Sequence, residues 1–187
     1  MRTCKICHTK FEPTFNSVQS VCSIKCSYEY SKIQKEKAWK KEKKQLKEKL
    51  KTKSDYLKEL QTVFNTYIRL RDEAKGCISC GVDLRGRKFD AGHYRSVGGN
   101  PQLRFHEDNV HGQCVYCNRH QHGNIVEYRL RLIKRIGIDK VDYLETENEA
   151  KQYSIPELIE MKVIYKDKIK KLKDYSERQS IRLVRFA

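Results

Sequence analysis

The sequence predicts an α+β chain, mostly helical, built around two small four-cysteine modules. Three observations carry this. Eight cysteines occur only in close pairs: Cys4/Cys7, Cys22/Cys26, Cys77/Cys80 and Cys114/Cys117. Between and beyond the pairs, several stretches carry apolar residues at helical spacing. The 33 residues between Cys80 and Cys114 leave room for two strands and a loop.

Pairs of cysteines separated by two or three intervening residues suit tetrahedral zinc, with two pairs to each ion. Two structural Zn2+ ions are therefore expected, on Cys4, Cys7, Cys22 and Cys26 and on Cys77, Cys80, Cys114 and Cys117. A secreted disulfide scaffold would spread its cysteines through a shorter chain. The start, Met1-Arg2-Thr3-Cys4-Lys5, has no apolar signal core, so a cytoplasmic location is expected. No run of about 18 apolar residues exists to span a membrane.

The chain has 187 residues, with 40 Lys+Arg against 24 Asp+Glu, a formal charge of +16. That much positive charge repels itself unless an acidic partner neutralises it. Nucleic acid, bound by counterion release at its phosphates, is the leading candidate. A membrane surface is the weaker one, because no basic helix shows a broad apolar face.

Residues 1–27 form the first zinc module, with Phe11, Phe15 and Val18 available to pack beneath the metal. So few residues bury little, so the metal must supply most of its folding energy. Residues 28–53 form a lysine-rich arm. Lys32 to Lys53 holds eleven lysines and three glutamates, a net +8 (eleven minus three). Without Gly or Pro it reads as a solvated helix or linker. As a helix it spans about 39 Å at ~1.5 Å per residue, close to one turn of duplex DNA, roughly 34 Å.

Residues 54–140 hold the second zinc module and its flanking helices. Thr52 to Asp55 resembles a capping box. The helix it opens runs to about Ala74, with Leu57, Leu60, Phe64, Tyr67, Ile68 and Arg71 on one face. Ile125 to Ile136 reads as a basic amphipathic helix stopped by Gly137. Residues 141–187 form a C-terminal helical region. Ser154-Ile155-Pro156-Glu157 caps a last helix to about Arg178, and Ser180 to Ala187 is expected to be loose. The apolar faces of 55–74 and 155–178 serve either a homodimer or packing within the chain.

The chemistry concentrates in Asp90-Ala91-Gly92-His93, Asn109, and Cys114-Val115-Tyr116-Cys117-Asn118-Arg119-His120-Gln121-His122. A cysteine knuckle, a hairpin and a second knuckle leading into a helix make a treble-clef-like frame. The order His, Asn, Asn inside that frame resembles the HNH, or ββα-metal, nucleases. Phosphodiester hydrolysis needs a base, and neutral imidazole suits that role near pH 7. It also needs a hard cation, Mg2+ or Mn2+, held by oxygen ligands. His93 is the expected base. Asp90 and Asn118, with His122 as a substitute, are the candidate magnesium ligands. Asn109 is expected to orient the loop or His93 through backbone hydrogen bonds. His106, His111 and His120 read as surface or phosphate-contacting residues. His8 reads as an exposed neighbour of Cys7.

A closer resemblance rests on Cys77-Ile78-Ser79-Cys80-Gly81, Asp90-Ala91-Gly92-His93-Tyr94-Arg95, Pro101-Gln102-Leu103-Arg104-Phe105, Asn109-Val110-His111, Gln113 to Asn118 and Gly123-Asn124. These look like the phage NinG (Rap) recombination proteins. So do the Cys22 to Cys26 end of the first module, the arm, and Tyr128 to Ile133. The likeness weakens after about residue 140. It implies a structure-selective endonuclease acting on branched DNA, Holliday junctions and D-loops, in phage recombination. Other recombination proteins and a bacterial host cytoplasm are implied with it. Cys114-Val115-Tyr116-Cys117-Asn118 also resembles the metal end of phage endonuclease VII, which implies a magnesium role for Asn118. In that pattern the acid adjoins the histidine, whereas two residues separate Asp90 from His93 here.

Shape-selective binding works through phosphates rather than bases. The expected contacts are Lys40, Lys41, Lys43, Lys44 and Lys47 on the arm, with Arg85, Arg87, Lys88, Arg95, Arg104 and Arg119 around the site. Arg129, Arg131, Lys134 and Arg135 add a basic helix face. The competing readings are a non-catalytic zinc-finger DNA-binding accessory protein, an RNA-binding zinc protein, and a sequence-specific HNH nuclease.

Overall fold

The computed structural model describes residues 1–16, 18–146, 149 and 151–185, with 179–185 described by backbone alone. It divides into two units, Met1–Lys51 and Thr52–Ala187.

In the first unit, β1 (Arg2–Thr3) pairs antiparallel with β2 (Lys10–Phe11). The connecting turn returns Cys4 N to Thr9 O at 2.9 Å and His8 N to Cys4 O at 3.0 Å. His8 is exposed and takes a left-handed φ of 58° there. Ser23 caps α1 (Ile24–Lys49), its side chain accepting from Cys26 N, so the helix begins inside the metal module. The arm is thus helical, and it starts earlier than residue 28. Cys26 is the buried residue of α1, while Trp39 and Leu50 are exposed. Phe15 and Val18 do not pack beneath the cysteines as expected: they are 86% and 74% exposed.

The second unit opens with α2 (Lys53–Asp72). Asp55 accepts from both Thr52 N and Thr52 Oγ1, at 2.9 and 2.8 Å, so aspartate does the work of glutamate in that cap. β3 (Phe89–His93) and β4 (Val110–Cys114) form an antiparallel hairpin, Phe89 opposite Cys114 and His93 opposite Val110. A π-helical turn, Tyr116–His120, follows β4. Then come α3 (Ile125–Ile136), α4 (Ile138–Thr146) and α5 (Ile155–Arg185). The short α4, packed by Val141 and Leu144, was not foreseen. α5 continues helical to Arg185 where a loose tail was expected; Phe186 and Ala187 lie outside the described residues.

α2 and α5 pack on each other and on the hairpin through Leu60, Phe64, Tyr67, Ile68, Val110, Leu158 and Tyr165. Phe64 meets Tyr165 and Phe105 edge-on, with ring centres 4.9 and 5.7 Å apart. The faces considered for a homodimer are therefore covered within the chain. A second cluster joins Ile78, Tyr94 and Leu103 to Tyr128 and Leu132 of α3 and to Val141 and Leu144 of α4. Tyr128 donates to Gly92 O at 3.0 Å, tying α3 to β3.

Candidate functional site

Each unit gathers four cysteines whose sulfurs all lie within 4.8 Å of one another. Four sulfurs at about 2.3 Å from a tetrahedral zinc stand roughly 3.8 Å apart. Cys7 and Cys22 are 3.4 Å apart, Cys22 and Cys26 3.8 Å, and Cys80 and Cys114 3.8 Å. Both groups fit a structural metal ion such as zinc. Burial works against a Cys77 thiolate, yet the N–H groups of Cys80, Cys114 and Ser79 bring that thiol down to about 7. Around Cys4 the same opposition, with N–H groups of Cys7, Ile6 and Cys22, leaves a value of about 6.

The second group sets the hairpin. Buried Gln113 on β4 donates at 2.6 Å to Ser79 Oγ in the first knuckle and at 2.6 Å to Gly123 O. Gly92 leaves room for it: a Cβ there would stand 2.2 Å from Gln113 Oε1.

A cleft of about 650 Å³ opens at the end of β3. His93, Arg95, Asn118 and His122 line it. His93 and Asn118, 25 residues apart in sequence, thus meet because β3 and the turn after β4 are held to one knuckle. His93 Nε2 is 3.0 Å from Arg104 O. A carbonyl only accepts, so Nε2 carries the proton and Nδ1 keeps its lone pair. Burial, the largest influence, lowers the His93 pKa below the usual histidine value, so the ring is neutral near pH 7.

Asn109 is fully buried. It accepts from Arg95 N at 2.8 Å and donates to Arg95 O and Leu103 O, both at 3.1 Å. These bonds fix the loop that carries the Arg104 carbonyl back to His93.

Asp90 lies three positions before His93, so the two point to opposite faces of β3. It lines a neighbouring cleft of about 400 Å³. Both its oxygens are engaged: Arg119 forks onto them at 2.7 and 2.8 Å, and Asn118 Nδ2 donates at 3.0 Å. Arg119 is the main reason its carboxyl is held below the ordinary range. Asn118 gives its amide N–H to Asp90, leaving its carbonyl oxygen to ligate.

The expected phosphate contacts divide. Lys40, Lys41, Lys43, Lys44 and Lys47 are exposed along α1, with Lys40 paired to Glu36 at 2.6 Å. Arg95 faces the His93 cleft. Arg85 is paired with Asp83 at 2.9 Å, Arg104 donates to Gln61 at 2.8 Å, and Arg119 is on Asp90. In the basic face of α3, Arg129 is paired with Glu145 at 2.7 Å.

His111 is a correction: it is buried, 3% exposed. It belongs to a knot around fully buried Asp72, which accepts from Arg71 twice at 2.8 Å, from Lys75 at 3.0 Å and from Gly112 N at 2.9 Å. Arg71 also reaches Val110 O at 2.7 Å and His111 Nδ1 at 3.1 Å. Burial opposes ionisation of Asp72, but His111, Arg71 and Gly112 hold the carboxyl far below its usual range. The signal was an arginine on the apolar face of α2, which a surface helix has no reason to place there.

Fold and site together define a class: a mixed helix and strand protein with two four-cysteine clusters that could bind metal, one built onto a β-hairpin. The chain belongs to the NinG family of bacteriophage lambda: the family model described as Bacteriophage Lambda NinG protein matches residues 1–177. Protein ninG of Escherichia phage 933W is 38% identical over 190 residues, covering 92% of this chain and 94% of that one. Protein ninG of Salmonella phage P22 is 46% identical over 125 residues, 67% of this chain and 61% of that one. Protein ninG of Escherichia phage lambda is 45% identical over 125 residues, with the same coverage of each chain. No solved structure matches the chain. No helix among the described residues is long and apolar enough to cross a membrane.

Proposed function

We propose that this chain is a structure-selective DNA endonuclease that hydrolyses phosphodiester bonds in branched recombination intermediates with a divalent cation. The observation that carries the reading is the cleft in which His93, Asn118 and His122 converge beside the Cys77, Cys80, Cys114 and Cys117 cluster. That arrangement fits an HNH-type core in a treble-clef frame, with zinc as the structural ion.

The residues divide the work. Arg104 O holds the His93 tautomer, and the free Nδ1 takes a proton from the attacking water. Asn109 keeps the loop behind His93 in place. The Asn118 carbonyl and the His122 ring are the donors that fit a magnesium or manganese ion. Asp90 orients the Asn118 amide, and its carboxylate adds to that donor set only when Arg119 leaves it. When bound, the cation supplies charge neutralisation at the scissile phosphate. Cutting both strands of a four-way junction takes two such sites. A homodimer that supplies them would form through surfaces other than the packed faces of α2 and α5.

One observation favours the non-catalytic accessory reading: Asp90, the carboxylate hydrogen-bonded to Asn118, is already paired with Arg119. A cleavage assay separates the two. Magnesium should produce cuts in a four-way junction and far fewer in linear duplex of the same sequence. Tight junction binding with no cutting at any magnesium or manganese concentration would leave the accessory reading standing.

A further inference from the structure

The Asp90 cleft sits between the second half of α2 and the chain entering β3. Its walls include Thr66, Arg69, Glu73, Arg87, Lys88 and Asp90. The turn before β3 returns Arg87 N to Leu84 O at 3.1 Å, and Gly86 supplies its left-handed φ of 66°. That turn exposes Arg87 and Lys88 on the rim. Arg69, half-buried on α2, donates to Thr66 Oγ1 at 3.3 Å. Among the described residues, none of these three cations has a carboxylate within 4.0 Å. Nearby Arg85 differs, being forked onto Asp83. Two acids also line the cleft, Asp90 and, one turn after Arg69, Glu73.

This cleft and the His93 cleft share a partition. Asp90 faces one and Asn118 the other, and a 3.0 Å hydrogen bond joins them. Arg119 lies across the top of the partition on Asp90. Beyond Asp90 the cleft thus presents three cations outside ion-pair distance of any carboxylate among the described residues, with Arg69 acting on Asp90 and Arg87 on Asp83 only at longer range.

We infer that Arg69, Arg87 and Lys88 form a phosphate-binding site for the DNA strand being cut, continuing the His93 cleft past Asp90. The inference rests on the nuclease reading for its substrate and assigns where the strand's backbone runs. Phosphate contacts of this kind set position and register without reading bases. They also set salt dependence, with each neutralised phosphate adding about 0.7 to 0.9 to the slope of log affinity against log salt.

The test measures binding of a fluorescent four-way junction by anisotropy across a salt series, without added divalent cation, so that binding is read apart from cutting. The variant Arg69→Gln/Arg87→Ala/Lys88→Ala should lose about 2 from the slope, the value for three phosphate contacts. The control Lys166→Ala/Lys170→Ala/Lys173→Ala, which removes three exposed charges of α5, should lose less than about 1. Equal losses in both variants, no loss in the first, or no junction binding by the natural chain would overturn the site. If Arg69→Gln prevents folding, Arg87→Ala/Lys88→Ala carries the test, with an expected loss of about 1.5. Site-dependent binding with no magnesium-dependent cutting would instead refute the endonuclease reading and leave the phosphate site in place.

Discussion

The two four-cysteine clusters have the same ligands and different support. Around Cys4, Cys7, Cys22 and Cys26, Phe15 and Val18 are largely exposed, and Ile6, Phe11 and Val21 are only half-buried. Around Cys77, Cys80, Cys114 and Cys117 the metal group lies against Leu84 and Phe89, in a unit that also has two larger clusters on either side of the hairpin. With so little buried around it, the first module is expected to depend on a bound ion for its fold. An ion in the second would sit beside a hairpin in a unit that has other sources of stability.

Chelating the metal breaks the comparison most directly. Amide exchange should lose all protection in residues 1–23, while α2 and α5 keep theirs. Uniform loss in both units would show that the second cluster is equally metal-dependent. Next in size is Asp72→Asn. It leaves Arg71 buried without its partner and should cost about 3–5 kcal/mol in urea unfolding. The same carboxylate gives a pH test with a definite sign. Its folded pKa is depressed, so its contribution is present above the ordinary carboxylate value of about 3.9 and lost as pH falls below it. Asp72→Asn should flatten that acid limb. Gly92→Ala should follow, at about 1–3 kcal/mol, because its methyl group collides with Gln113. It should also perturb the Ser79 and Gly123 resonances, which Gln113 bridges. Smallest is Phe15→Ser in the first module, expected to stay within about 0.5 kcal/mol because the ring is already in water. A larger loss there would mean the module has a core after all.

Much of the frame was legible because it rests on local chemistry. Cysteine spacing marked both metal groups, Gly137 marked the end of α3, and the Ser154–Glu157 box marked the start of α5. Mixed helix and strand followed from the same patterns. What was hidden depends on contacts distant in sequence. Arg71 and His111 were visible as residues, but only the packing of α2 on β4 joins them at Asp72. Asp90 and His93 looked like one constellation by proximity, while strand alternation sends them to two clefts. Charge was legible as a total of +16 and not as a distribution. Arg85 and Arg119 turn out to be paired, whereas Arg69, overlooked on α2, lines the Asp90 cleft.

On the proposed function, the His93 cleft cuts DNA and the zinc-type cluster only holds that cleft in shape. Single-turnover cleavage of a four-way junction by His93→Ala, at a zinc content equal to that of the natural chain, tests this. The expected result is a loss of about 10²- to 10⁴-fold. For the natural chain, the rate should stay level down to a pH below about 6.5, the ordinary histidine value, because burial keeps His93 neutral there. His93→Ala cutting at the natural rate, with its zinc intact, would contradict the account.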